Sequence, residues 1–216
     1  MTYLSRVQID SFNQVKMSKL TSVNQYHSWV ENVFPENIKN HTRPRHLWRI
    51  DRIAGKNYLM ILSNEEPNVS ELESNGIKGT AKVLDYDKFL NSIQENGTYR
   101  FKLTANPTVK IKRNIVPCKK DETQMEWLSH KAKINGFSLN QAVVTEKCRE
   151  YLHKFKTYED ENGKTKRKNV TVPLEVATYE GYLTVTDTEK FKKALIGGFG
   201  REKAFGVGLM TVMPVR

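Results

Sequence analysis

Tyr3, Val7 and Ile9 fall on one side of Tyr3-Leu4-Ser5-Arg6-Val7-Gln8-Ile9 at period two, the pattern of a half-buried first strand. From residue 20 to 34 the spacing changes. Leu20, Val23, Val30, Val33 and Phe34 recur at helical intervals, with Ser22-Val23-Asn24-Gln25 as a capping box and Pro35 as a stop. His46 to Asp51 and Asn57 to Leu62 are β-rich runs joined by a turn at Gly55-Lys56-Asn57, which predicts a hairpin. A short helix is expected at Tyr86 to Ile93, and a closing strand between residues 80 and 106. The order β-α-β-β-α with a last strand is the ferredoxin-like plan.

The second half repeats that plan. Tyr99-Arg100-Phe101-Lys102-Leu103 alternates apolar and cationic positions, so one face of this strand is basic. Glu122 to Ile134 reads as a helix. Strand-like stretches fill Leu139 to Phe155, a polar loop occupies Glu159 to Lys164, and two strands follow at Val170 to Val176 and Tyr179 to Val185. Thr186-Asp187-Thr188-Glu189 is a second capping box before a helix that buries Phe191 and Leu195 and stops at Gly197 or Gly198. Leu209 to Val215 supplies the last strand. The expected architecture is α+β, two tandem ferredoxin-like (βαββαβ) domains over residues 1–97 and 98–216.

Charge separates the halves. Residues 1–97 hold 12 Lys and Arg against 11 Asp and Glu, whereas residues 98–216 hold 23 against 13, so nearly all of the net +11 lies in the second half. Such an asymmetry suits a polyanion-binding face, and nucleic acid sooner than a small substrate. The cations cluster at Lys110-Ile111-Lys112-Arg113, at Lys119 and Lys120, and between Lys147 and Lys168, where Lys154 and Lys156 belong to a basic hairpin expected to order on RNA. Cys118 and Cys148 lack CxxC spacing and His41 and His46 have no cysteine neighbours, so reduced thiols and no metal site are expected. Without an apolar run of about 18 residues or a signal-peptide pattern, a cytoplasmic location and no membrane partner are expected.

Between the last helix and last strand lies Gly197-Gly198-Phe199-Gly200-Arg201-Glu202-Lys203-Ala204-Phe205-Gly206-Val207-Gly208. Glycines there let backbone N–H groups converge on an anion while Arg201 and Lys203 add charge; a purely structural turn is the plain alternative. The loop combines with Tyr3-Leu4-Ser5-Arg6-Val7, Leu47-Trp48-Arg49-Ile50 and Phe101-Lys102-Leu103-Thr104-Ala105-Asn106-Pro107. Together these resemble the CasE endoribonuclease family, the subunit of the bacterial Cascade CRISPR complex that cuts repeat transcripts into guide RNAs. The most specific matches are F-x-L-x-A-N-P at Phe101 to Pro107 and the glycine pattern at Gly198, Gly200, Gly206 and Gly208.

That resemblance implies metal-independent and cofactor-independent cleavage at the base of a repeat stem-loop, leaving 5′-hydroxyl and 2′,3′-cyclic phosphate ends. It also implies as partners the CRISPR repeat RNA, the mature guide RNA and the other Cascade subunits. The family's catalytic histidine lies on the first helix shortly before Phe-Pro, which matches His27 ahead of Phe34-Pro35. Read from spacing alone, His27 shares a helical stripe with Val23 and Val30 and suits a core role. The family's tyrosine three residues earlier is Asn24 here. Tyr26 is the alternative partner, although neighbouring helical residues point about 100° apart. Asn24 can bind RNA or orient His27 but cannot transfer a proton. A repeat-binding subunit that does not cleave, a general double-strand RNA binder and a metal-dependent nuclease are the competing readings. The last is disfavoured because Asp85 and Asp87 suit a helix start better than a ligand set.

Overall fold

The computed structural model describes residues 1–160 and 164–215. Glu161, Asn162 and Gly163, the centre of the expected polar loop, lie outside the described residues.

The N-terminal part runs β1 (Tyr3–Gln8), α1 (Gln14–Met17), α2 (Val23–Asn32), α3 (Pro35–Lys39), β2 (Leu47–Ile53), β3 (Lys56–Ser63), α4 (Val69–Leu72) and β4 (Lys82–Asp85). Its antiparallel sheet has the order β2-β3-β1-β4, the ferredoxin-like arrangement. Helix α2 buries Trp29 and Val30, followed by Val33 and Phe34, against Val7, Leu59, Ile61 and Leu72. Its start differs in detail from a capping box. Ser22 makes no side-chain cap, and the Gln25 amide oxygen instead accepts from the Thr21 N–H at 2.7 Å. Pro35 opens α3 at its first position, where no N–H is needed, so it redirects the helical path.

One element falls in a different place from that expected. The helix at Tyr86, α5 (Tyr86–Asn91), comes after the closing strand β4, and the single-turn α4 fills the second helical slot. Asp85 ends β4 and caps α5 by accepting from the Asp87 N–H at 3.0 Å, so strand and helix meet without a loop.

The C-terminal part runs β5 (Thr98–Ala105), β6 (Thr108–Ile111), β7 (Asn114–Pro117), α6 (Asp121–Ile134), β8 (Phe137–Glu159), β9 (Thr165–Val185), α7 (Thr188–Gly197) and β10 (Met210–Pro214). The order β10-β5-β9-β8 repeats the ferredoxin-like plan, with β6 and β7 as an inserted hairpin. Asp187, one residue later than a capping box at Thr186 requires, caps α7 by accepting from the Lys190 N–H. The two expected strands at residues 170–176 and 179–185 are one continuous strand, β9. Strand β5 pairs only with Ala177 to Thr184 of β9, whereas β8 pairs with β9 back to Thr165. Beyond β5, β8 and β9 therefore continue as a two-stranded ribbon.

The two sheets share a core. Leu47 and Leu62 of the first sheet pack with Phe101, Leu103, Leu128, Phe137, Tyr179 and Phe191. Two residues after Leu47, on the same side of β2, is Arg49, which is 2% exposed. It forms a two-bonded pair with Asp51 at 2.9 and 2.7 Å and donates to the Lys102 carbonyl, the Leu209 carbonyl and the Thr211 hydroxyl at 2.9 to 3.0 Å. A charge taken out of water is thereby fully hydrogen-bonded, and it joins β2 to β5 and β10. Among the described residues no helix is long and apolar enough to cross a membrane.

Candidate active site

His27 lies one step around α2 from the residues that face the core. Its side chain is 30% exposed, and its ring packs on Phe205 of the glycine-rich loop at 5.1 Å between centroids. Nδ1 is sealed from solvent without a hydrogen bond and lies 3.7 Å from Glu31 Oε1. Burial lowers the His27 pKa; Glu31 opposes this, the neighbouring His46 adds to it, and the Ala204 carbonyl opposes it. The net effect favours a neutral imidazole near neutral pH, the form that can accept a proton.

Tyr26 points elsewhere. Its ring stacks on Trp48 at 6.0 Å and lies 6.3 Å from Trp29, and burial raises its hydroxyl pKa. Asn24, one turn before His27, is engaged with β8: its side-chain oxygen accepts from the His153 N–H at 3.2 Å and its nitrogen donates to the His153 carbonyl at 3.0 Å. Both His153 groups point away from β9, so the Asn24 amide takes the place of a neighbouring strand at this edge. Leu152, Leu174 and Val176 of the ribbon also pack with Val207 and against Val23 and Phe205. Helix α2, the ribbon and the glycine loop thus converge on His27.

The loop reaches this position because glycine allows it to. Gly198, Gly200, Gly206 and Gly208 all have positive φ. At Gly206 a Cβ would come within 2.8 Å of the Trp48 ring, whose Nε1 donates to the Ala204 carbonyl at 2.8 Å. At Gly198 it would meet Leu47 at 2.7 Å. The N–H groups of Gly198, Phe199, Phe205 and Gly208 all bond to protein carbonyls, so these four are not aimed at an anion. Lys203 donates to the Gly197 and Gly198 carbonyls at 2.6 and 3.0 Å, closing the C-terminal end of α7. Burial lowers its pKa, helped by the Arg45 and Lys131 charges. Arg201 is exposed beside a cavity of about 550 Å³ that Lys110, Trp127, His130 and Lys131 also line.

Lys154 pairs with Glu202 at 2.5 Å, and its ammonium lies 5.6 Å from the Phe205 ring, so His27 and Lys154 share one aromatic neighbour. Further out, Lys156 opposes Lys168 and Tyr158 opposes Lys166. Directly opposed residues share a face, and by alternation this is the face of Leu152 and Lys154. The ribbon therefore presents a row of lysines that starts beside the histidine. Lys110 lies on β6, while Lys112 and Arg113 form the exposed two-residue tip of the β6–β7 hairpin.

A sequence profile described as CRISPR associated protein matches residues 2–214. The chain belongs to that family. This CRISPR-associated protein is 27% identical over 183 residues to the CRISPR-associated endoribonuclease Cse3 of Thermus thermophilus, covering 80% of the chain and 81% of the relative. Cse3 bound to a 19-nucleotide RNA has the same fold, with a TM-score of 0.77, 20% identity and 99% of both chains covered. A chain of a CRISPR RNA-guided surveillance complex is similar at a TM-score of 0.61 and 17% identity, covering 99% of this chain and 100% of that one.

Sequence patterns in this CRISPR-associated protein did not single out Glu31, His46, Glu202 or Phe205. Only Glu31 carries a local signal, its position four residues after His27 on one helix. The others reach the site through tertiary contacts. Among the described residues, no group of three or more His, Cys, Asp or Glu side chains is placed to hold a metal ion.

Proposed function

We propose that the chain is an endoribonuclease that cuts CRISPR repeat transcripts at the base of the repeat stem-loop. In this reading the ribose 2′-hydroxyl attacks the adjacent phosphorus and gives its proton to His27. The 5′-oxygen leaves and takes a proton from water, so the products are a 2′,3′-cyclic phosphate and a 5′-hydroxyl. No metal is required for either transfer. Lys154 is assigned to the charge of the crowded phosphorane. Lys156, Lys168, Lys110, Lys112 and Arg113 are assigned to the RNA backbone, and Arg201 to the rim beside them. Asn24 and Lys203 are assigned to holding the ribbon and the loop in place, and Tyr26 to packing on Trp48. The product stays bound as part of a Cascade assembly.

One observation carries the reading. A partly exposed histidine with a lowered pKa sits where α2, the glycine loop and a lysine-lined ribbon meet. Single-turnover cleavage of the host's own repeat RNA in chelator, with chemical identification of the ends, is the test. His27→Ala is expected to lower the rate by at least about a hundredfold while RNA binding persists. Normal cutting by that variant refutes the role of His27, and loss of cutting by the wild type in chelator refutes metal independence. A non-cleaving, repeat-binding subunit is the second reading, motivated by Asn24 in place of a tyrosine; RNA bound tightly but left intact by the wild-type chain supports it.

A further inference from the structure

Behind His27 lies a second histidine that the reaction as proposed does not use. His46 is 2% exposed and stacks on Phe34 at 4.0 Å with the rings 11° from parallel. Its Nδ1 lies 3.1 Å from Glu31 Oε1, and its Nε2 lies 3.5 Å from Glu65 Oε2. The same Glu31 oxygen is the one 3.7 Å from His27 Nδ1. A single carboxylate is thus shared by two imidazoles, one fixed in the protein and one at the seam.

The hydrogen positions follow from acceptor chemistry. An ionised carboxylate can only accept, so His46 Nδ1 carries the hydrogen in its contact with Glu31. His27 Nδ1 is buried and faces the same oxygen. A bare nitrogen lone pair against a carboxylate is repulsive, whereas N–H toward it is attractive. We propose that Glu31 is a positioning residue for His27, held by His46 so that it receives the His27 Nδ1–H and leaves Nε2 bare to take the 2′-hydroxyl proton. The inference rests on the proposed cleavage function. At 3.7 Å the contact is longer than a hydrogen bond, and it is assigned to tighten when RNA fills the site.

Besides the Ala204 carbonyl, which also raises the His27 pKa, few polar groups face the ring. Glu31 comes from its own helix, His46 from the segment before β2, and Glu65 from beyond β3 reaches only His46. Lys154 of β8 and Glu202 of the loop pair with one another beside Phe205. Removing the Glu31 charge therefore takes away the main influence that raises the His27 pKa.

Two measurements test this. In the wild-type protein, ring nitrogen NMR of His27, assigned by its loss in His27→Ala, is expected to show hydrogen on Nδ1 in the neutral form; hydrogen on Nε2 overturns the proposal whether or not any Glu31 variant folds. Single-turnover rates across pH are then compared for wild type and Glu31→Gln. The expected result is a plateau lowered about tenfold or more, an acidic limb displaced to lower pH, and RNA affinity within about twofold of wild type. A variant that folds and keeps both plateau and limb overturns the assignment. If His27→Ala is inactive while Glu31→Gln behaves as wild type, only the Glu31 role falls; if His27→Ala cuts normally, the cleavage reading falls with it.

Discussion

A single added methyl group at Gly206 would strike the Trp48 ring and would have to be carried at φ 75°, a value that L residues seldom adopt. Gly206→Ala is expected to cost about 1–3 kcal/mol in urea unfolding and to reduce cleavage by pulling Phe205 away from His27. Asp51 makes a separate prediction. Burial on its own would raise its pKa, but the hydrogen bonds and charge of Arg49, together with Lys102, hold it below the ordinary value. A depressed carboxylate contributes stability that is present above the unfolded value of about 3.9 and lost as pH falls through the lower folded value. Acid unfolding followed by circular dichroism is expected to show this loss below about pH 4, and Asp51→Asn is expected to lack it. At this scale, the glycine spacing and the helical position of His27 were legible in the sequence. The reason for the glycines was not, because Leu47 and Trp48 are distant in the chain and only folding presses them against the loop.

Asn24 matters for how α2 and the ribbon work together. Its amide spans both exposed backbone groups of His153, so Asn24→Ala is expected to cost about 1 kcal/mol and to speed hydrogen exchange at the His153 amide. Unchanged exchange there would show that the ribbon is held by its apolar contacts alone. The alternation and turn residues marked most strands and helices. The length of β9 was obscured at Ala177 and Thr178, where Val176 to Tyr179 are all buried and the alternation lapses, and not by Pro173, which falls inside the first of the two expected strands. Pro173 opposes Tyr151, two rows from His153, so by alternation its missing N–H points away from β8, toward an edge that β5 does not reach. The proline therefore costs no ladder bond. The helix at Tyr86 was found but misplaced in order, because the four-residue β4 is too short to show a period.

Across the molecule, Arg49 links the two sheets through carbonyls that no local pattern could reveal. Arg49→Met is expected to destabilise the chain by about 3 kcal/mol, because it leaves Asp51 with only Lys102 and two carbonyls without their donor. The repeated βαββαβ order and the one-sided charge were legible because each depends on many residues at once.

Apart from the Asn24 contact at His153, strand β8 forms a 23-residue outer margin of its sheet, and long bare margins invite other chains to add themselves. Lysines at 154 and 156 make such an addition repulsive until a nucleic acid neutralises them. Replacing both with glutamine should therefore do more than weaken RNA capture: it should make the protein self-associate at concentrations where the parent stays dispersed, as light scattering would detect.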